Sequence, residues 1–237
     1  MQKNNVGQPL TPANALLSSF PHDQFEMLSP YMTREMLEQG VVLVEAGDEI
    51  DFVYFPHKGV VSLLSVLKDG RAVEVATVGQ DGIIGAMVGL GFPTSLVRVV
   101  VQLPLEATKI PANRFRRATA RSDAVRGLCL RYNESLFSQA RITAACNAVH
   151  LIEARFCRWL LQTANRAGTK TVNLTQEFVA ELMGVRRTSI TEVATKLQAA
   201  GVVHYSRGVI NILDAAALEK LSCECYSLQL DQSDALR

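Results

Sequence analysis

The chain has 237 residues, 48% hydrophobic and 20% charged, with 24 Lys and Arg against 23 Asp and Glu. Such a length suits one large domain or two modest ones around a well-buried core. No apolar run approaches the roughly 18 residues that span a bilayer, and the first twenty residues lack the apolar centre of a secretory leader, so a cytoplasmic chain with no membrane contact is expected. The near-neutral total conceals an asymmetry: residues 1–120 carry a net −2, residues 121–150 +2, residues 151–213 +4 and residues 214–237 −3. A basic stretch inside a neutral chain is the footprint of an anionic partner.

Residues 12–39 read as loosely packed helix. From Gly40 to about Ile110, VVLVEAGDE, FVYFPHKG, VVSLLSVLKDG, RAVEVATVGQDG and VRVVVQLPLEATKI follow one another as short β-branched runs. Turn signals at Ala46-Gly47-Asp48, Lys58-Gly59, Lys68-Asp69-Gly70 and Gln80-Asp81-Gly82 separate them, which predicts a β-sandwich or β-roll. Asp69-Gly70 is the clearest hairpin signal among them.

From about Ala112 the texture turns helical. Between Ser122 and Gln162 there is no Pro and the only Gly is Gly127. Val125, Cys129, Tyr132, Leu136, Gln139, Thr143, Cys146 and His150 recur at alternating steps of four and three, the period of a coiled-coil seam. That pattern suits pairing with a second copy of the helix. A helix lying on its own β-roll would also produce it, and polar Gln139 and Thr143 keep that alternative open. LIEARFCRWLLQTANRAGTK then continues as a second amphipathic helix, stopping near Gly168.

Residues 174–213 carry the most information. Thr175 stands at an N-cap position with Glu177 in the first turn, and Val179 and Leu182 give a short helix one apolar face. Gly184 suits a tight turn. Ile190, Val193, Leu197 and Ala200 give the next helix an inward face, and Gly201 ends it. VVHYSRGVINIL reads as a hairpin turning at Ser206-Arg207-Gly208. Helix, glycine turn, helix and hairpin make a winged helix-turn-helix. Arg186 and Arg187 open its second helix, where the macrodipole disfavours cations by about 0.3–1 kcal/mol each. Phosphates would offset that cost; Arg187, Thr188, Thr191, Glu192 and Thr195 stand clear of the apolar face, free to meet a major groove, and the short Thr188, Ser189 and Thr191 side chains can bond phosphates or bases. Lys196 and Arg207 add phosphate partners, and Thr175 lies at the start of the preceding helix.

Taken together, LTQEFVAELMGVRRTSITEVATKLQAAGVV resembles the helix-turn-helix of the Crp/Fnr family of bacterial transcription regulators, and VEAGDEIDFVYFPHKGVVSLLSVLKDGRAVEVATVGQDGIIGAMVG resembles that family's cyclic-nucleotide-type β-roll. The resemblance covers about residues 25–213. It implies an α+β fold: a β-roll of the double-stranded β-helix type over residues 1–120, a dimerisation helix over 121–150 and a winged helix-turn-helix over 151–237. It implies a homodimer on double-stranded DNA, with RNA polymerase as a further partner. Carried over, Arg187 occupies the family's base-reading Arg position. Thr188 stands where the family often has Glu, Glu192 where it often has Arg, and Arg186 replaces a common Ser.

The family's cyclic-nucleotide members carry Gly-Glu at the end of the roll and Arg-Ser or Arg-Thr some ten residues on. This chain has Gly85-Ala86, then Leu96 and Val97 with Arg98 close by. Ala86 cannot accept from a ribose hydroxyl, so these five residues mark an effector pocket that is not expected to take cAMP in the usual way. No cofactor is expected. The iron–sulfur members cluster N-terminal cysteines, whereas Cys129 is the first here. Cys129 and Cys146 read as small buried hydrophobes, Cys223-Glu-Cys225 offers two ligands without a third, and no metal is expected. His57 reads as a surface residue. An interaction module with decayed DNA contacts is disfavoured by Arg186 and Arg187. A metal-dependent β-barrel enzyme is disfavoured because His57 is the only His between residues 23 and 149. No phosphate loop, nucleophile elbow or other catalytic motif is present, so the chain is not expected to be an enzyme.

Overall fold

The computed structural model describes residues 14–235, so the first thirteen of the twenty residues read as lacking a leader lie outside it. Two short helices, α1 (Ala15–Ser18) and α2 (His22–Leu28), lead through a 3-10 turn into strand β1 (Thr33–Leu37). The helical reading of residues 12–39 therefore ends too late: residues 33–37 pair antiparallel with the strand at Lys109–Leu105. Strands β2 (Val42–Val44), β3 (Phe52–Val66), β4 (Ala72–Val78) and β5 (Arg98–Pro111), with the short helix α3 (Ala86–Gly89), complete the roll. Its sheet runs β1-β5-β3-β4, with β2 also on β5.

The Asp69-Gly70 turn joins β3 to β4 as expected, with Gly70 at φ +87° and Leu67 N–H bonded to the Arg71 carbonyl at 2.8 Å. Lys58-Gly59 is different. It was expected to end a strand, yet β3 passes straight through it with a register shift. Gly59 has φ +87°, and a Cβ there would run into the backbone of Leu103–Leu105. The glycine permits a bulge and a close backbone approach rather than a chain reversal.

Helices α4 (Ala112–Arg121), α5 (Asp123–Val149) and α6 (Ile152–Ala167) follow. Ser122 caps α5, accepting from Val125 N–H. Gly168, in the left-handed conformation, ends α6. The C-terminal unit comprises β6 (Thr171–Asn173), α7 (Gln176–Met183), α8 (Arg187–Ala199), β7 (Val203–Ser206), β8 (Val209–Ile212), α9 (Ala215–Leu221) and α10 (Cys225–Ala235), its sheet ordered β6-β8-β7. The molecule is a β-roll, a long helix and a winged helix-turn-helix.

The seam on α5 is partly buried, and by its own chain. Val125 and Cys129 belong to the core shared by α1, β3 and α4. Tyr132 and Leu136 pack on the roll, and Gln139 accepts from Thr77 N–H at 3.3 Å. Thr143 lines a cleft with Val73, Glu74 and Trp159, and Cys146 is buried against Cys223. The expectation that this seam faces a second copy is corrected for Val125, Cys129, Gln139 and Cys146, which the roll, α1, α4 and the Cys223 segment of the same chain bury, while Tyr132, Leu136 and Thr143 are half-buried.

Candidate nucleic-acid interface and effector site

The reading surface is built from α7, α8 and the β7–β8 wing. Thr175 caps α7, its hydroxyl accepting from Phe178 N–H at 3.2 Å. Gly184 takes φ +64° and turns the chain between the helices. Ile190, Val193 and Leu197 are buried, as their spacing predicts. Ala200, expected inward with them, is the exposed C-cap residue, because the helix ends before its side chain reaches the core.

Arg186 is the N-cap residue of α8 and makes no side-chain capping bond; Ser189 N–H donates to the Arg186 carbonyl at 3.0 Å, so the helix start lacks a side-chain cap beside the exposed Arg187 and Thr188. Arg186, Arg187, Thr188, Thr191, Glu192 and Lys196 are exposed and Ser189 is half-buried. Thr191 donates to Gln176 Oε1 at 2.7 Å, tying the two helices. The exposed cations have weak acidic neighbours: Arg187 Nε stands 3.8 Å from Glu177, and Lys196 3.5 Å from Glu153. Such exposed pairs hold by about 0–1 kcal/mol, so an incoming phosphate can replace them. Arg207 sits at the wing tip with φ +49°, followed by Gly208 at φ +78°, a two-residue turn of the kind that matches strand twist. All nine residues expected at a DNA surface thus belong to one continuous unit.

Two families match this chain. The cyclic nucleotide-binding domain family matches residues 34–122 and the Crp-like helix-turn-helix domain family matches residues 154–221. The chain belongs to the Crp/Fnr family of transcription regulators. Solved structures agree on the fold. A Crp/Fnr-family regulator from Eubacterium rectale superposes with a TM-score of 0.68 at 20% identity, covering 88% of this chain and 98% of that one. FixK2 from Bradyrhizobium japonicum gives 0.69 at 14% identity, covering 81% and 98%. The c-di-GMP-responsive global regulator CLP from Xanthomonas campestris gives 0.65 at 19%, covering 81% and 99%. No curated protein sequence matches the chain.

In this Crp/Fnr chain the residues expected at an effector pocket do not converge. Gly85 is left-handed and packs on Ile50 and Val53, and Ala86 is buried. Leu96 is 88% exposed. Arg98, the only nearby cation of the five, directs its guanidinium to Glu45 at 2.7 Å. Tyr132 of α5 reaches into the roll beside Gly82 and bonds the backbone of Ile83, and burial raises its pKa. His57 is buried rather than on the surface, its Nε2 2.7 Å from Thr108 Oγ1, and burial lowers its pKa.

Sequence reasoning missed two polar clusters. Glu74 of β4 is buried with Trp159 Nε1 at 2.8 Å and Ser62 Oγ at 2.5 Å. The other cluster joins Cys146, His150, Cys223 and Cys225, whose donor atoms all lie within 4.8 Å of one another. Cys146 and His150 are four apart on one helix, so the second was visible as an i,i+4 pair; its meeting with Cys223-Glu-Cys225 was not.

Among the described residues no helix is long and apolar enough to cross a membrane.

Proposed function

We propose that this regulator acts as a cytoplasmic homodimer that reads a palindromic DNA site through α8 and the wing, with residues 1–120 as sensor, 121–150 as dimer helix and 151–237 as reader. Arg186, Lys196 and Arg207 contact phosphates, and Arg187 and Thr188 read bases. The observation that carries this reading is the start of α8, where two exposed arginines stand at a helix N-terminus that has no side-chain cap. Dimerisation is supported by the outward face of α5. Leu130 and Phe137 are 53% and 55% exposed, and with exposed Ala144 they repeat every seven residues. That stripe, not the buried seam, has the period and the free apolar surface to pair with a second copy. RNA polymerase is the natural partner of such a dimer on its operator.

Selection of bound duplexes from a random pool by the purified protein tests the reading. The expected product is a palindrome with half-sites about one helical turn apart. In the same assay Arg187→Ala relaxes preference at one base pair per half-site by about 1–3 kcal/mol, whereas Arg207→Ala weakens all sequences alike. Identical losses in both variants would refute this division of roles.

A further inference from the structure

The sulfur and imidazole cluster lies where the dimer helix meets the reader. Cys146 occupies the last turn of α5, and His150 follows as its C-cap. Leu151 is then the N-cap residue of α6, so the two ligands lie at the α5 side of the joint between the long helix and the C-terminal unit. Cys223 comes from the link between α9 and α10 and Cys225 is the first residue of α10, which packs back on α5. Cys146, Cys223 and Cys225 are buried free thiols and His150 is half-buried.

The geometry points to a tetrahedral zinc site formed by Cys146, His150, Cys223 and Cys225, an ion that braces the joint between α5 and the DNA-reading unit. Cys146 Sγ is 3.5 Å from Cys223 Sγ, and Cys225 Sγ is 3.7 Å from His150 Nδ1. With Zn–S of about 2.3 Å and Zn–N of about 2.0 Å, the edges of a zinc tetrahedron are about 3.8 Å for S···S and about 3.5 Å for S···N. Small shifts of four side chains would close it. Three thiolates and one imidazole are a recurrent structural zinc set, and the soft donors select against magnesium and calcium.

The surroundings fit a metal as well. A ligating His normally directs its other ring nitrogen to a carboxylate, which fixes the tautomer. His150 Nε2 lies 3.1 Å from Glu224 Oε2, and Glu224 sits between Cys223 and Cys225. Zinc with three thiolates keeps one net negative charge. Arg158, buried in the core, and Arg155 are both close enough to Cys146 and Cys223 to interact electrostatically. On binding, each thiol releases its proton to solvent and the zinc takes the sulfur lone pair, with no change of oxidation state.

The site itself stands on its own geometry; its effect on operator binding rests on the DNA reading above. With zinc bound, α9 and α10 are clamped to the end of α5 and the angle of α8 to the dimer axis is fixed. Without it, the joint is held by side-chain packing alone.

The full-length protein, purified under reducing conditions, is expected to carry one zinc per chain by elemental analysis. Chelator-stripped protein titrated with Co2+ should show visible ligand-field bands and near-ultraviolet thiolate charge transfer. Added Zn2+ should protect three of the five thiols from a thiol reagent. Cys223→Ser should abolish binding, and Glu224→Gln, which leaves all four ligands, should weaken zinc roughly tenfold or more. Operator affinity should differ roughly tenfold between stripped and zinc-loaded protein. Stripped protein that binds neither ion, with five thiols equally reactive with and without Zn2+, would overturn the site. So would an iron–sulfide chromophore in the purified protein. Zinc bound at one per chain with unchanged operator affinity would overturn the brace. No selected operator in either form, with zinc bound, would instead count against the DNA reading.

Discussion

At the scale of single residues, function turns on a few side chains that break local rules. Arg186 in an N-cap position forgoes the capping bond that Ser or Asp would make, which typically costs about 1 kcal/mol. A helix start left that way stays open to an external anion. The effector site shows the converse. Where a ribose-binding carboxylate would serve cAMP, Ala86 offers a buried methyl, and Arg98 is already paired with Glu45. Millimolar cAMP is therefore expected to leave the melting temperature unchanged. A ligand at 100 times its Kd would add about 2.7 kcal/mol, which a thermal scan resolves easily. A graded rise with cAMP would mean that Arg98 leaves Glu45 to cradle the phosphate.

At the scale of elements, α5 separates what a sequence pattern can say from what it cannot. The four–three period announced a helix with one buried stripe, and Val125, Cys129, Gln139 and Cys146 are indeed buried. Periodicity says that a stripe is covered but not by what, and here the cover is the roll and its flanking helices, with Cys223 over Cys146. The outward stripe was illegible because Leu130, Phe137 and Ala144 are interleaved with Arg131, Glu134 and Arg141, and Arg141 lies over the Phe137 ring at 4.5 Å. The winged helix-turn-helix was legible nearly residue by residue, since each boundary has its own chemical mark: Thr175, Gly184, Gly201 and the Arg207-Gly208 turn. Gly59 misled because a positive-φ glycine serves a bulge as well as a turn. The cysteine cluster stayed hidden because its halves are more than seventy residues apart and only the fold joins them. The stripe on α5 yields a direct test. Phe137→Asp should leave monomer stability nearly unchanged, because the ring is exposed in the single chain. Across a two-fold interface it removes two aromatic contacts, each worth about 1.5–3 kcal/mol. The dimer should dissociate at least about a hundredfold more readily by sedimentation. Tyr132→Ala should do the reverse, unsettling the fold first.

At the scale of the whole molecule, roll and reader share one core. Val60, Leu64 and Val100 of the roll cluster with Trp159, Leu182 and Ile190 of the reader, and a Cβ on Gly184 would stand 2.8 Å from Val73. In that contact sits Glu74, with Ser62, Trp159 and Gln102 on its carboxyl. Burial pushes its pKa up to about 7, against the hydrogen bonds from Ser62 and Trp159 and the charges of Arg158 and Arg166, which pull it down. The ordinary value in the unfolded chain is 4.5. Below about pH 4.5 the carboxyl is protonated in both states and takes nothing from stability. Between there and about pH 7 the folded chain holds a proton that the unfolded chain has lost, so stability falls as pH rises. Above about pH 7 both states are ionised and the full cost, about 3 kcal/mol, is in place. Glu74→Gln keeps the shape, lets its carbonyl accept from Trp159, and removes the charge. The stability difference between the two proteins should grow from near zero at pH 4.5 to about 3 kcal/mol in favour of the variant at pH 8. Denaturant titrations at several pH values give that difference directly. Trp159 is the sole tryptophan, so its emission reports the same contact between roll and reader. Parallel stability profiles for the two proteins would show that Glu74 is ionised at neutral pH in the folded chain. The two arginines would then outweigh its burial, and the contact would hold its charge across the physiological range.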